Sequence, residues 1–163
     1  MGYDNSTIAR RFIDEVFSKG NFAVLDEIAA KDVVWRDLVL PQGTGYDHIK
    51  NMVTPFRMAF PDLTCTCDEV LVAGDRVICK WTARGTNLAP LMGLPATNRK
   101  ATVRGCDILK IVDGKIREAD GYWDTYGLYN QLGVLPKLEE LAKAGTIPAA
   151  TTGAAAGTRP QPR

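Results

Sequence analysis

The first residue with chemistry to account for is an aspartate inside an apolar, strand-like run, Gly105-Cys106-Asp107-Ile108-Leu109-Lys110-Ile111-Val112. A carboxylate there lies on a solvated face or is held in a cavity, and a buried one costs stability unless it has a partner or a task. In a cavity its task is general acid/base work. More acidic residues follow at Glu118, Asp120 and Asp124. Side chains alternate along a strand, so Glu118, Asp120, Tyr122 and Asp124 share one face, and Ala119, Gly121 and Trp123 share the other. A bulge near Gly121 would exchange the two sets. Asp37 belongs to an earlier strand, at a pocket mouth or in solvent. Asp124 precedes Thr125-Tyr126-Gly127 and reads as a helix N-cap.

Trp35, Trp81, Tyr122, Trp123 and Tyr126 can line an aromatic pocket, although each alone also reads as core or interface packing. Asn87 either orients a substrate carbonyl or holds a turn. His48, just after Asp47, reads as a surface residue at a helix start. It is the only histidine, and Cys65, Cys67, Cys79 and Cys106 form no Cys-x-x-Cys pair. That disfavours a zinc site and leaves the cysteines as small apolar filler in a reduced compartment. There is no glycine-rich phosphate loop, no Gly-x-Ser-x-Gly elbow and no His-Glu-x-x-His stretch, the usual signals of nucleotide, serine-hydrolase and zincin chemistry.

The elements that must position these residues follow from periodicity. Ile8, Phe12, Ile13, Val16 and Phe17 recur at helical spacing after Asn5 or Ser6 as N-cap, and Gly20 stops the helix. Phe22 to Ala29 reads as a second short helix, and residues 32–40 as a strand. Ile49 to Phe60 returns to helical spacing, with a kink or restart expected at Pro55. Thr64 to Ala73 and Arg76 to Thr86 form a hairpin about Gly74-Asp75. A loop, residues 87–98, leads to a strand at 99–112. Asp113-Gly114 turns it into a return strand at 115–124. Helical turns follow at 126–132 and 138–144.

This order is α+β, with helices packed on one face of a curved antiparallel sheet that forms a cone-shaped barrel. Such a cone is a small-molecule pocket. The 163 residues, 45% hydrophobic, suffice for one core, so residues 1–146 read as a single domain. Residues 147–163 hold no aromatic or large aliphatic side chain beyond Ile147 and read as a disordered tail. With 20 basic and 19 acidic residues, the net charge of +1 leaves no footprint for nucleic acid or an anionic membrane. No apolar run reaches membrane-span length, and a cytoplasmic protein is expected.

Four stretches resemble one family: RRFIDEVFSKGNFAVLDEIAAKDVVW, AFPDLTCTCDEVLVAGDRVICKWTARGT, LMGLPATNRK and CDILKIVDGKIREADGYWDTYGLYNQLG. Over about Ile8 to Leu135 the chain resembles the SnoaL-like polyketide cyclases of the nuclear-transport-factor-2-like superfamily. The resemblance implies an apolar cavity, a homodimer or higher homo-oligomer on the sheet face, and chemistry without metal or cofactor. The implied reaction is an intramolecular aldol closure of a polyketide-like, largely apolar substrate. One carboxyl with a raised pKa can both take the acidic proton and return it.

The resemblance also exposes departures. Family cyclases carry their catalytic aspartate at the position of Gly121 and a histidine at that of Asp107. Their usual histidine at the loop start is Asn87 here, and an early-strand asparagine is replaced by Trp35. The expectation is therefore Asp107 and Asp120 as acid/base residues, with Trp35, Asp37, Trp81, Asn87, Tyr122, Trp123 and Tyr126 shaping the substrate site. The alternatives are epoxide opening, with Asp107 paired to Asp120 or Asp37, and a non-catalytic small-molecule binder.

Overall fold

The computed structural model describes residues 4–136 and 138–145. The expected tail, residues 147–163, lies outside them. Helix α1 (Asn5–Arg11) continues into a π-helical turn, Phe12–Phe17. Its N-cap is Asp4, one residue before the expected pair, because the Asp4 carboxylate accepts the Thr7 N–H at 2.9 Å and both nearby hydroxyls. Ile8, Phe12, Ile13 and Val16 are fully buried, each worth about 1.5–3 kcal/mol.

A 3-10 turn, Phe22–Val24, leads to α2 (Leu25–Ile28) and directly into β1 (Ala29–Asp37). The two-residue β2 (Gly43–Thr44) precedes α3 (Gly45–Ala59). No restart occurs at Pro55, which lies inside α3. Burial of Ile49, Val53 and Ala59 along one side holds the helix through the missing donor.

The remaining strands are β3 (Thr64–Ala73), β4 (Arg76–Thr86), β5 (Lys100–Val112) and β6 (Lys115–Trp123). Helices α4 (Thr125–Leu132) and α5 (Leu138–Lys143) follow. The six strands form one sheet in the order β2-β1-β6-β5-β4-β3. From β3 to β6 it is an antiparallel meander. Both residues of the β5–β6 turn, Asp113 and Gly114, have positive φ (52° and 71°), as a two-residue primed hairpin turn requires.

The sheet is mixed rather than wholly antiparallel, because β1 runs parallel to β6. β1 reaches β6 by way of α3 and four further strands, so no tight turn dictates its direction. The sheet remains open, and the architecture is the expected α+β one.

Cys67 and Cys79 bring their sulfurs into contact, Cα to Cα 6.4 Å. Cys67 pairs with Trp81 and Cys79 with Val70, so the two lie diagonally on one face of the β3–β4 ladder. Cys65 and Cys106 are free thiols. Among the described residues no helix is long and apolar enough to cross a membrane.

Candidate active site

A row of paired residues crosses the concave face of the sheet. Asp37 on β1 pairs with Gly121 on β6, Gly121 with Asp107 on β5, and Asp107 with Cys79 on β4. On the inner strands the neighbouring positions are small, with Ala119 paired to Trp35 and Gly105 paired to Trp81. Small residues beneath and tryptophans at the flanks open an apolar cavity. A concave, mostly apolar pocket with few polar groups is the form small-molecule sites take. Phe17, Met52, Phe56, Phe60 and Leu128 close over it, and the Phe56 ring stands edge-on to Trp123 at 5.9 Å.

The two carboxyls in this row are held differently. β1 ends at Asp37, where Oδ1 accepts the backbone N–H of Val39 at 2.8 Å and of Leu40 at 3.1 Å. This turn-forming pattern is common for aspartate. Its Oδ2 accepts the Trp123 indole N–H at 3.0 Å. Asp107 has no such cradle: it is 4% exposed and its Oδ2 has no hydrogen-bond partner among the described residues.

Burial, which penalises the charged form, pushes the Asp107 carboxyl up to about 7. The Trp81 N–H beside it pulls the other way, without completing a hydrogen bond, and the negative charge of Asp37 adds to the rise. A carboxyl poised there can take a proton and give it back near neutral pH.

Gly121 explains how both carboxyls fit. A Cβ at that position would stand 3.2 Å from Asp37 Oδ2 and 3.3 Å from Asp107 Oδ1. The place vacated by a side chain on β6 is thus occupied by carboxyls reaching in from both neighbouring strands.

Trp35, Asp37, Trp81, Asp107 and Trp123 are brought together around the cavity. Four other expected site residues are not. The β5–β6 register is irregular only between Lys110 and Ile111, well away from Gly121, so the alternation holds and Asp120 points to the outer face. There the Arg36 guanidinium bridges it to Glu118, at 2.9 and 3.0 Å. Tyr122 shares that outer face and is 40% exposed. Tyr126 is 70% exposed at the start of α4. Asn87 is buried but structural. It donates to the Ala89 carbonyl and accepts from the Thr97 N–H and hydroxyl, clamping the 87–98 loop.

The lining residues that sequence reasoning missed come mostly from α3 and its exit. Met52, Val53, Phe56 and Phe60 recur at helical spacing, a pattern that marks the inward face but not what it covers. Cys65 also lines the cavity, and burial pushes its thiol far up, which leaves it protonated. Among the described residues no three His, Cys, Asp or Glu side chains cluster as a metal site would need.

The model of the SnoaL-like polyketide cyclase family matches residues 7–132. Two curated relatives are named aklanonic acid methyl ester cyclases, DnrD from Streptomyces peucetius and DauD from Streptomyces sp. strain C5. Each is 38% identical over 60 residues, 37% of this chain. The match spans 41% of the first relative and 37% of the second. Among solved structures, IdmH from Streptomyces antibioticus aligns with a TM-score of 0.70 at 27% identity, over 80% of this chain and 99% of its own. TsrD from Streptomyces laurentii aligns at 0.72 and 24% identity, over 82% and 99%, and shows the shared fold.

Proposed function

The chain belongs to the SnoaL-like polyketide cyclase family, and on that premise we propose that it closes a ring in a polyketide-like substrate, without a cofactor, with Asp107 as its acid/base group. The observation that carries this reading is the Asp107 carboxyl, buried over Gly121 in an apolar cavity and poised near neutrality. In its ionised form it takes the proton from a carbon flanked by two carbonyls, leaving an enolate and a neutral carboxyl. The enolate carbon bonds to a ketone carbon of the same molecule, and the resulting alkoxide takes the proton back from Asp107. Atoms balance, and the product is an isomer of the substrate. The cavity contributes by folding the chain into a reactive geometry. Asp37 is held in place by three donors, and its negative charge beside Asp107 raises that carboxyl and so sustains its basicity.

The names of the two Streptomyces relatives support a polyketide methyl ester as the substrate class and antibiotic biosynthesis as the setting. The test is turnover of aklanonic acid methyl ester by the wild type and by Asp107→Asn. Loss of turnover with retained ligand binding supports the reading. Equal turnover by the variant sinks it.

The adjacency of Asp37 and Asp107 favours one second reading, epoxide opening, which uses an acid and a base together. An epoxide-bearing ligand consumed in preference to the diketone would select it. We also propose a homodimer formed through the outer sheet face, where Tyr122 is exposed. Analytical ultracentrifugation decides that point.

A further inference from the structure

Three buried polar atoms around the cavity have no hydrogen-bond partner among the described residues: Trp35 Nε1, Trp81 Nε1 and Asp107 Oδ2. An indole N–H donates and cannot accept. A buried donor without a partner is costly, so such groups call for an explanation. The two indoles approach from opposite walls, Trp35 from β1 and Trp81 from β4. Their cross-strand partners, Ala119 and Gly105, bring no side-chain acceptor.

Each ring is also fixed in place. Trp35 is 4% exposed and packs on Phe12 and Phe17, with centroids at 6.0 and 5.3 Å. Trp81 lies on the β5 backbone at Gly105, where a Cβ would come within 2.5 Å of its Cζ2. Donors held rigidly in an apolar, water-poor site are suited to oxygens that carry or gain negative charge.

We propose that the indole N–H groups of Trp35 and Trp81 donate hydrogen bonds to two oxygens of the substrate, and that Trp81 stabilises the enolate oxygen. This rests on the cyclase reading and deepens it. As Asp107 takes up the proton it loses its claim on the neighbouring Trp81 N–H, and the donor passes to the oxygen on which charge has just appeared. Trp81 is then a catalytic residue and Trp35 a positioning residue. The site selects ligands with acceptor oxygens at two points over hydrocarbons of the same outline.

The probe is 2-phenylindane-1,3-dione, whose enolate is coloured and carries two acceptor oxygens, with 2-phenylindane as the hydrocarbon control. Dissociation constants and the enolate absorption band are measured for the wild type, Trp81→Phe and Trp35→Phe. At both positions the 3-benzothienylalanine analogue, which keeps the ring shape and lacks the N–H, covers a phenylalanine variant that folds poorly. The expected result is a loss of about ten-fold in dione affinity per N–H removed, with a shifted enolate band and hydrocarbon affinity changed less than two-fold. Equal losses for both ligands, unchanged dione affinity, or no dione binding by the wild type overturn the proposal. The Asp107→Asn turnover assay stays separate. An Asp107→Asn enzyme that turns over normally yet shows N–H-dependent dione binding defeats only the acid/base reading.

Discussion

Asp37 and Asp107 flank Gly121, one strand away on either side, and both carboxyls reach into the space its absent side chain leaves open. The two are 70 positions apart in the chain and share no element. They are held differently: Asp37 accepts from three donors, and Asp107 Oδ2 has no hydrogen-bond partner among the described residues.

Replacing Gly121 tests that geometry directly. The Cβ of Gly121→Ala would press on both carboxyl oxygens at 3.2 and 3.3 Å, closer than ordinary contact. The expected result is a fall in kcat of roughly ten-fold or more, since small misplacements at a reacting centre are costly. Circular dichroism should show the fold unchanged. An undiminished kcat would mean that neither carboxyl works where it stands.

Asp107→Asn should lose most turnover and gain stability. The folded Asp107 carboxyl is raised from 3.8 to about 7, so the folded state holds its proton more tightly than the unfolded chain. The contribution of Asp107 to wild-type stability therefore falls as pH rises from about 4 to about 7. Asparagine removes that penalty. The variant's advantage should be small near pH 4 and grow to a few kcal/mol, in order of magnitude, above pH 7. Urea titrations of both proteins at pH 4.5 and 8 measure it, and a gain independent of pH would contradict the shift.

Asp37→Asn should move the pH profile rather than abolish activity. The negative charge of Asp37 raises the Asp107 carboxyl, so its removal should carry the acidic limb of kcat/KM to lower pH. A profile measured between pH 4 and 9 that stays in place would show that the two carboxyls do not communicate.

Asp120→Asn serves as the contrast. Asp120 bonds Arg36 on the outer face, away from the cavity. Turnover is expected within about two-fold of wild type, with at most a slight fall in Tm, as for partly exposed ion pairs. A large loss of kcat at unchanged Tm would return Asp120 to the reaction.

Much of this protein was legible in its order of residues, because the signals are local. The alternation of Ala119, Gly121 and Trp123 against Glu118, Asp120 and Tyr122 fixes which faces they share whatever the fold. Asp113-Gly114 dictates a tight hairpin, and Asp124 caps α4 by accepting the Gly127 N–H at 2.7 Å. The four stretches resembling the cyclases carry the α+β order and the family, which the match over residues 7–132 bears out.

What remained open depends on contacts between distant segments. Nothing near Pro55 announces that buried Ile49 and Val53 will hold α3 through it. Nothing within β1 says that it will lie parallel to β6, yet only that pairing brings Asp37 beside Gly121. Asp120 has the right chemistry for catalysis. Its place outside the cavity follows from the direction of β6's faces and from Arg36, 84 positions away. Sequence alone determined which residues could carry a proton; the tertiary structure decided which of them is deprived of water. Desolvation is a sum over every element packed around a group, and no single stretch of chain contains it.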